Sequence, residues 1–198
     1  MATRPAIPNR SSASRPAGPP LQSTPTTLIS ASATLVGGYP ITLGPKSIIQ
    51  IRAHLSSAHG PLTIGEACII SERTSIGALS PPPQSPDASP APPTGTTLGP
   101  CVLIESGAVV EASSVGAYTI VESGAKVGRD AKIGTGCKIS SGVELGEGAV
   151  VEDGVVVWGS GWGKWRSEGK GKSLDPLAVR RAWVGEMLEV LRRGWTGK

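Results

Sequence analysis

The chain contains no phenylalanine, and it has only two methionines, two tyrosines and two histidines. Lack of phenylalanine argues against an ordinary mixed core built around large aromatic side chains. Two histidines, His54 and His59, cannot supply a three-histidine zinc centre within one chain. The cysteines, Cys68, Cys101 and Cys137, are odd in number and widely spaced, with no CxxC pair. That pattern speaks against a disulfide framework and against a cysteine-only zinc site, and it favours buried free thiols in a reducing compartment. No apolar run is long enough to span a bilayer, so no membrane insertion is expected and the protein is read as soluble. Acidic residues are missing from residues 1–26. Arg4, Arg10 and Arg15 there would suit a mitochondrial presequence, but Pro5, Pro8, Pro16, Pro19 and Pro20 break the amphipathic helix such a signal needs. Residues 1–26 are therefore read as a disordered Pro/Ser/Arg-rich arm.

What the chain does have is 27 glycines, 18 prolines and a period of six. Leu98, Ile104, Val110, Val115, Val121, Val127, Ile133, Ile139, Leu145, Val151 and Val157 recur every six residues, save a five-residue step from Val110 to Val115. Four places after each ladder residue stands a small or β-branched one, among them Val102, Ala108, Thr119, Ala125, Ala131, Cys137, Val143, Ala149 and Val155. A six-residue step cannot keep one face of a 3.6-residue helix, and repeated Gly and β-branched residues suit short strands separated by bends. This is the hexapeptide pattern of an all-β solenoid, a parallel β-helix of roughly six coils. Three hexads per coil put residues eighteen apart on neighbouring coils, so Lys126 should meet Glu144 and Arg129 should meet Glu147.

The aliphatic row extends backwards through Ile76, Ile70, Ile64, Leu55, Ile49, Leu43 and Leu35 to Ile29, so the β-helix is placed at residues 27–159. Extra residues at Gly37–Pro40 and at His59–Pro61 contain turn formers and can bulge at a corner without disturbing the core. Residues 78–97, ALSPPPQSPDASPAPPTGTT, form a low-complexity Pro-rich loop extruded from one solenoid, because the hexad phase resumes at Leu98. After Val157 comes a flexible, Gly-rich basic exit, residues 160–174. Asp175 as N-cap and Pro176 in the first turn then open a C-terminal helix over 175–195, with Leu177, Val184, Met187, Leu188, Leu191 and Trp195 on one face. This helix is expected to pack on the prism or cover its last coil.

Little catalytic chemistry is visible. The two histidines have no evident carboxylate partner and read as surface residues, and there is no P-loop, GxSxG or HExxH. No catalytic, metal or cofactor residues are assigned. A γ-carbonic-anhydrase-like or hexapeptide acyltransferase-like homotrimer stands as the alternative. From Trp158 onward there are nine Lys/Arg against four Asp/Glu, a net of +5, while the remainder carries −1. The basic tail reads as a solvated helix face, with no nucleic acid as partner. All five tryptophans, Trp158, Trp162, Trp165, Trp183 and Trp195, lie in that tail and are candidate protein-interface residues, since Trp and Arg are enriched at hot spots.

The stretches ITLGPKSIIQIRAHLSSAHGPLTIGEACIISERTSIG (41–77) and VVEASSVGAYTIVESGAKVGRDAKIGTGCKIS (109–140), the Pro-rich extrusion between them, the exit VVVWGS (155–160) and the terminal helix together resemble the dynactin subunit 6 family. The resemblance implies a left-handed β-helix, of the trimeric LpxA-like class, without catalysis and without cofactors. It also implies a structural role in the dynactin pointed-end complex. There the family pairs with a sibling β-helical subunit (dynactin subunit 5) beside an actin-related protein, and supports cargo and adaptor attachment in dynein-driven transport. The implied location is the cytoplasm and the microtubule cytoskeleton.

Overall fold

A computed structural model describes residues 18–78, 93–159, 161–164, 185–186 and 188–194. The hexads wind into a three-faced parallel β-solenoid. Face A has seven strands, from Leu21–Ser23 to Val150–Val151. Face B has eight, from Leu28–Ile29 through Val155–Trp158 to Gly161–Lys164. Face C has six, from Thr34–Gly37 to Glu144–Leu145. Six coils are complete, and a seventh contributes two strands. The fold is the parallel β-helix that the hexads predict, of the left-handed class that the resemblance implies.

Alternation along each short strand sends one residue inward. All eleven residues of the row from Leu98 to Val157 are inward and no more than 6% exposed. The small position four residues on fills the corners, with Ala108, Ala125, Ala131 and Cys137 fully buried. Where that position is polar, the next coil's backbone satisfies it. Ser47 Oγ donates to Gly65 O at 2.8 Å and accepts from Cys68 N at 3.1 Å. Thr119 Oγ1 does the same between Gly134 O (2.8 Å) and Cys137 N (3.2 Å). Corner A–B also needs close approach of backbone to backbone. A Cβ on Gly116 would lie 2.5 Å from Gly134 C, and Gly44 and Gly65 are equally tight under the coils that follow them.

The irregular stretches share one edge of the prism. The bulges at Gly37–Pro40 and Ala58–Pro61, the excursion after Gly77 and the short step at Ala112–Ser113 all fall between face C and face A. Ser57 Oγ ties two of these levels together, bonding Tyr39 O at 2.7 Å.

Three expected boundaries move. The arm assigned to residues 1–26 gives up its end to the solenoid, because Leu21–Ser23 pairs in register with Ile41–Leu43 and starts coil 1. The Pro-rich loop assigned to 78–97 ends earlier, because Thr96 is buried and pairs with Leu62. The start of the exit is not a loose linker. Gly159, at φ +53°, turns the chain back, and Gly161–Lys164 pairs antiparallel with Val155–Trp158. An edge strand leaves a row of unpaired N–H and C=O groups, and this hairpin satisfies one such row on face B.

The C-terminal helix is helical at 185–186 and 188–193, and Gly194 N bonds Val190 O at 3.0 Å at its end. It lies on face B. There the outward residues Ile48, Ile69 and Leu103 are aliphatic, and Leu188 packs on them with Leu191 alongside. These outward side chains are 2% exposed or less. At about 25 cal/mol per Å², covering each contributes up to roughly 1.5–3 kcal/mol. Arg192 Nη2 donates to Thr26 O at 2.9 Å and fastens the helix to coil 1. The helix start expected at Asp175–Pro176, with Leu177, Val184 and Met187, lies outside the described residues.

Candidate functional site

His54 opens the strand His54–Ser57 on face C. Its neighbour Leu55 is the inward residue, so His54 faces outward, in register between Thr34 and Ser75. It is half-buried, and its Nδ1 is enclosed without a hydrogen-bond partner. His59 sits in the bulge between faces C and A. Among the described residues, no three His, Cys, Asp or Glu side chains come together as a metal could require. Burial pushes the Cys68 thiol up to about 12, and its Sγ donates to Gly99 O at 3.2 Å, so it is an inert core thiol. Cys137 is equally buried and bonds Glu152 O at 3.0 Å.

The charged side chains clamp neighbouring coils. Lys126 Nζ meets Glu144 Oε1 at 2.6 Å, as the eighteen-residue spacing predicts. Lys138 Nζ meets Glu122 Oε1 at 2.6 Å. Partial burial opposes ionisation of Glu122, but the Lys138 ammonium and the Ser141 N–H and hydroxyl outweigh it and hold the carboxyl below its ordinary range. Glu144 is lowered by Lys126. These groups are wet and paired across coils, an arrangement that sets register.

The tryptophans do not form a described cluster. Trp158 is 52% exposed at the end of Val155–Trp158. Trp162 stands opposite Val157 in the hairpin. Trp165, Trp183 and Trp195 lie outside the described residues.

What reading the ladder alone passes over is the second aliphatic row. On face B of the first five coils the residue before the ladder position is also aliphatic: Leu28, Ile48, Ile69, Leu103 and Ile120 precede Ile29, Ile49, Ile70, Ile104 and Val121, and Lys138 ends the row in the sixth. Faces A and C carry mostly polar residues at the same place, among them Thr42, Thr63 and Thr97 or Thr34, His54 and Ser75, with Val109 and Val150 as aliphatic exceptions. That contrast marks face B as the covered one. Where the helix ends, Ile48, Gln50, Ile51, Glu72, Leu191 and Gly194 line an open groove of about 250 Å³. Among the described residues no helix is long and apolar enough to cross a membrane.

The family model described as "Bacterial transferase hexapeptide (six repeats)" matches residues 124–157. A crystal structure of a hexapeptide transferase family protein from Anaplasma phagocytophilum superposes with a TM-score of 0.66, covering 88% of this chain and 91% of that one. At 16% identity this likeness concerns the fold alone. By sequence, dynactin subunit 6 of Xenopus tropicalis is 31% identical over 90 residues, 46% of this chain and 44% of that protein. Dynactin subunit 6 of Danio rerio is 29% identical over 89 residues, 45% of this chain and 46% of that protein. The matches span less than half the length of those relatives, and on a hexapeptide β-helix the chain is similar in sequence to dynactin subunit 6.

Proposed function

We propose that the protein is a non-catalytic structural subunit of dynactin. In this reading it sits in the pointed-end complex, paired with a sibling β-helical subunit near an actin-related protein. It supports cargo and adaptor attachment in dynein-driven transport, in the cytoplasm and on the microtubule cytoskeleton. The observation that carries the reading is the sequence likeness to two relatives named dynactin subunit 6. The chemistry agrees. His54 and His59 stand at different places, one on a strand and one in a bulge, and the polar residues at the buried corner positions, Ser47 and Thr119, bond backbone.

A homotrimeric transferase or carbonic-anhydrase-like enzyme is the competing reading. It is favoured by the enclosed, unpartnered Nδ1 of His54 and by the fold likeness. Native gel filtration of cell extract, with detection of this chain, separates the two. Elution in a very large assembly together with an actin-related protein is the expected result. Elution near three times the chain's 20.1 kDa overturns it in favour of the trimer.

A further inference from the structure

Seen down the prism, the corner between faces B and C repeats one backbone conformation. Arg52 (φ 56°), Arg73 (φ 55°), Gly107 (φ 72°), Gly124 (φ 69°) and Gly142 (φ 69°) occupy the left-handed position of successive turns. The stacking is direct: Arg73 N bonds Ile51 O, Gly107 N bonds Glu72 O, and Gly124 N bonds Ser106 O. Glycine takes this conformation freely, whereas a side chain with a Cβ is disfavoured there. Three levels follow that rule and two consecutive levels break it with arginine.

Among the described residues none pairs with those two guanidinium groups. Both residues are exposed. They project from neighbouring coils, about 4.8 Å apart along the stack. Their chain neighbours Ile51 and Glu72 line the groove at the end of the C-terminal helix. Ile51, in the groove lining, is 42% exposed, so part of the apolar surface there is bare. Arg192 and Arg193 end the helix on the other side. Arg52 and Arg73 thus follow directly in the chain on two residues of a groove that is aliphatic apart from Gln50 and Glu72.

We propose that this groove docks an acidic, aliphatic peptide segment of a partner protein, with Arg52 and Arg73 as a paired grip on its carboxylates. The guanidinium fork matches a carboxylate with two parallel N–H···O bonds, which a lysine cannot reproduce. The apolar floor of Ile48, Ile51 and Leu191 takes an aliphatic side chain between the acids. The inference does not depend on membership of dynactin.

The test uses the full chain and a fluorescein-labelled peptide of Leu-Glu-Glu repeats, read by fluorescence anisotropy. Saturable binding to the wild type is expected. Arg52→Gly with Arg73→Gly should weaken it at least tenfold while the melting temperature holds or rises, because glycine fits both positions. Ile51→Ser should weaken it severalfold, and a Ser-Glu-Glu peptide should bind correspondingly less well. Absence of saturable binding, or equal affinity in the double glycine variant, overturns the proposal. So does a double variant that melts earlier, which would make the arginines structural. Equal displacement by single-stranded DNA, with Ile51→Ser silent, overturns it in favour of a generic anion patch.

Discussion

Up to residue 130 the left-handed corner positions are mostly held by residues with side chains, Lys46, Arg52, Ala67, Arg73, Cys101, Tyr118 and Asp130, with Gly107 and Gly124 among them; beyond it they are held by Gly136, Gly142, Gly148 and Gly154. The early coils also bulge at Gly37–Pro40 and Ala58–Pro61, while the late ones run in unbroken sixes. Yet the inward rows of the two halves are the same, with Ile49, Leu55, Ile64 and Ile70 buried as completely as Val121, Val127 and Ile139. The difference teaches that the ladder sets the fold and the corners are free to serve other ends. The last corners, from Gly136 on, follow the lowest-energy backbone, whereas the earlier ones carry side chains and bulges at some cost. That is where a surface for recognition can be built.

Breaking the shared feature should have the largest effect. Val127 is 1% exposed on the inward row, and Val127→Asp buries a charge with no partner. A loss on the order of 4 kcal/mol or more is expected, seen as a missing cooperative melt; an unchanged transition would show that the inward register is wrong. Leu188→Asp leaves the prism intact but uncovers Ile48, Ile69 and Leu103. A loss of roughly 2–4 kcal/mol should appear in denaturant titration, along with binding of an apolar dye. The tight stack between faces A and B is common to both halves. Gly116→Ala, which puts a Cβ 2.5 Å from Gly134 C, should cost about 1–3 kcal/mol.

Smaller changes sharpen the contrast itself. Arg52→Gly should stabilise by about 0.5–1 kcal/mol, and Gly124→Arg at the equivalent late corner should destabilise by about as much. Space above Gly124 is open, so only the backbone conformation distinguishes the two substitutions. Matched urea melts that shift in the same direction would contradict the account. The smallest effect concerns Glu122. Its carboxyl is held below the ordinary value in the folded state, so its contribution is complete at neutral pH and declines as pH falls through the folded carboxylate range. The pair is partly solvated, so Lys138→Met should remove well under about 1 kcal/mol of this acid-sensitive stability and flatten the low-pH end of a melting-temperature profile.

The solenoid was legible in the sequence because a strand alternates sides and a coil repeats, so one period of six reports both. Lys126 and Glu144 confirm the coil length by meeting across it. The covering of face B needed a finer reading. Ile48, Ile69 and Leu103 sit directly before ladder residues, and their outward direction shows only when every third hexad is compared. The hairpin at Gly161–Lys164 was obscured because glycines that permit flexibility also permit a tight reversal. The groove and the arginines next to it were hidden for a different reason: an amino-acid letter carries no φ, and nothing local brings residue 51 beside residue 191.

The clasp between Arg192 and Thr26 joins residues 166 apart in the chain. During synthesis, each coil can settle on the one before it as soon as it leaves the ribosome. Face B cannot be finished that way, since Leu188 and Leu191 are made after all the coils. Until they arrive, Ile48, Ile69 and Leu103 form an uncovered aliphatic strip along an otherwise folded nascent prism. A truncated chain or a stalled ribosome would present the same strip, a natural mark by which quality-control factors could tell an unfinished molecule from a finished one.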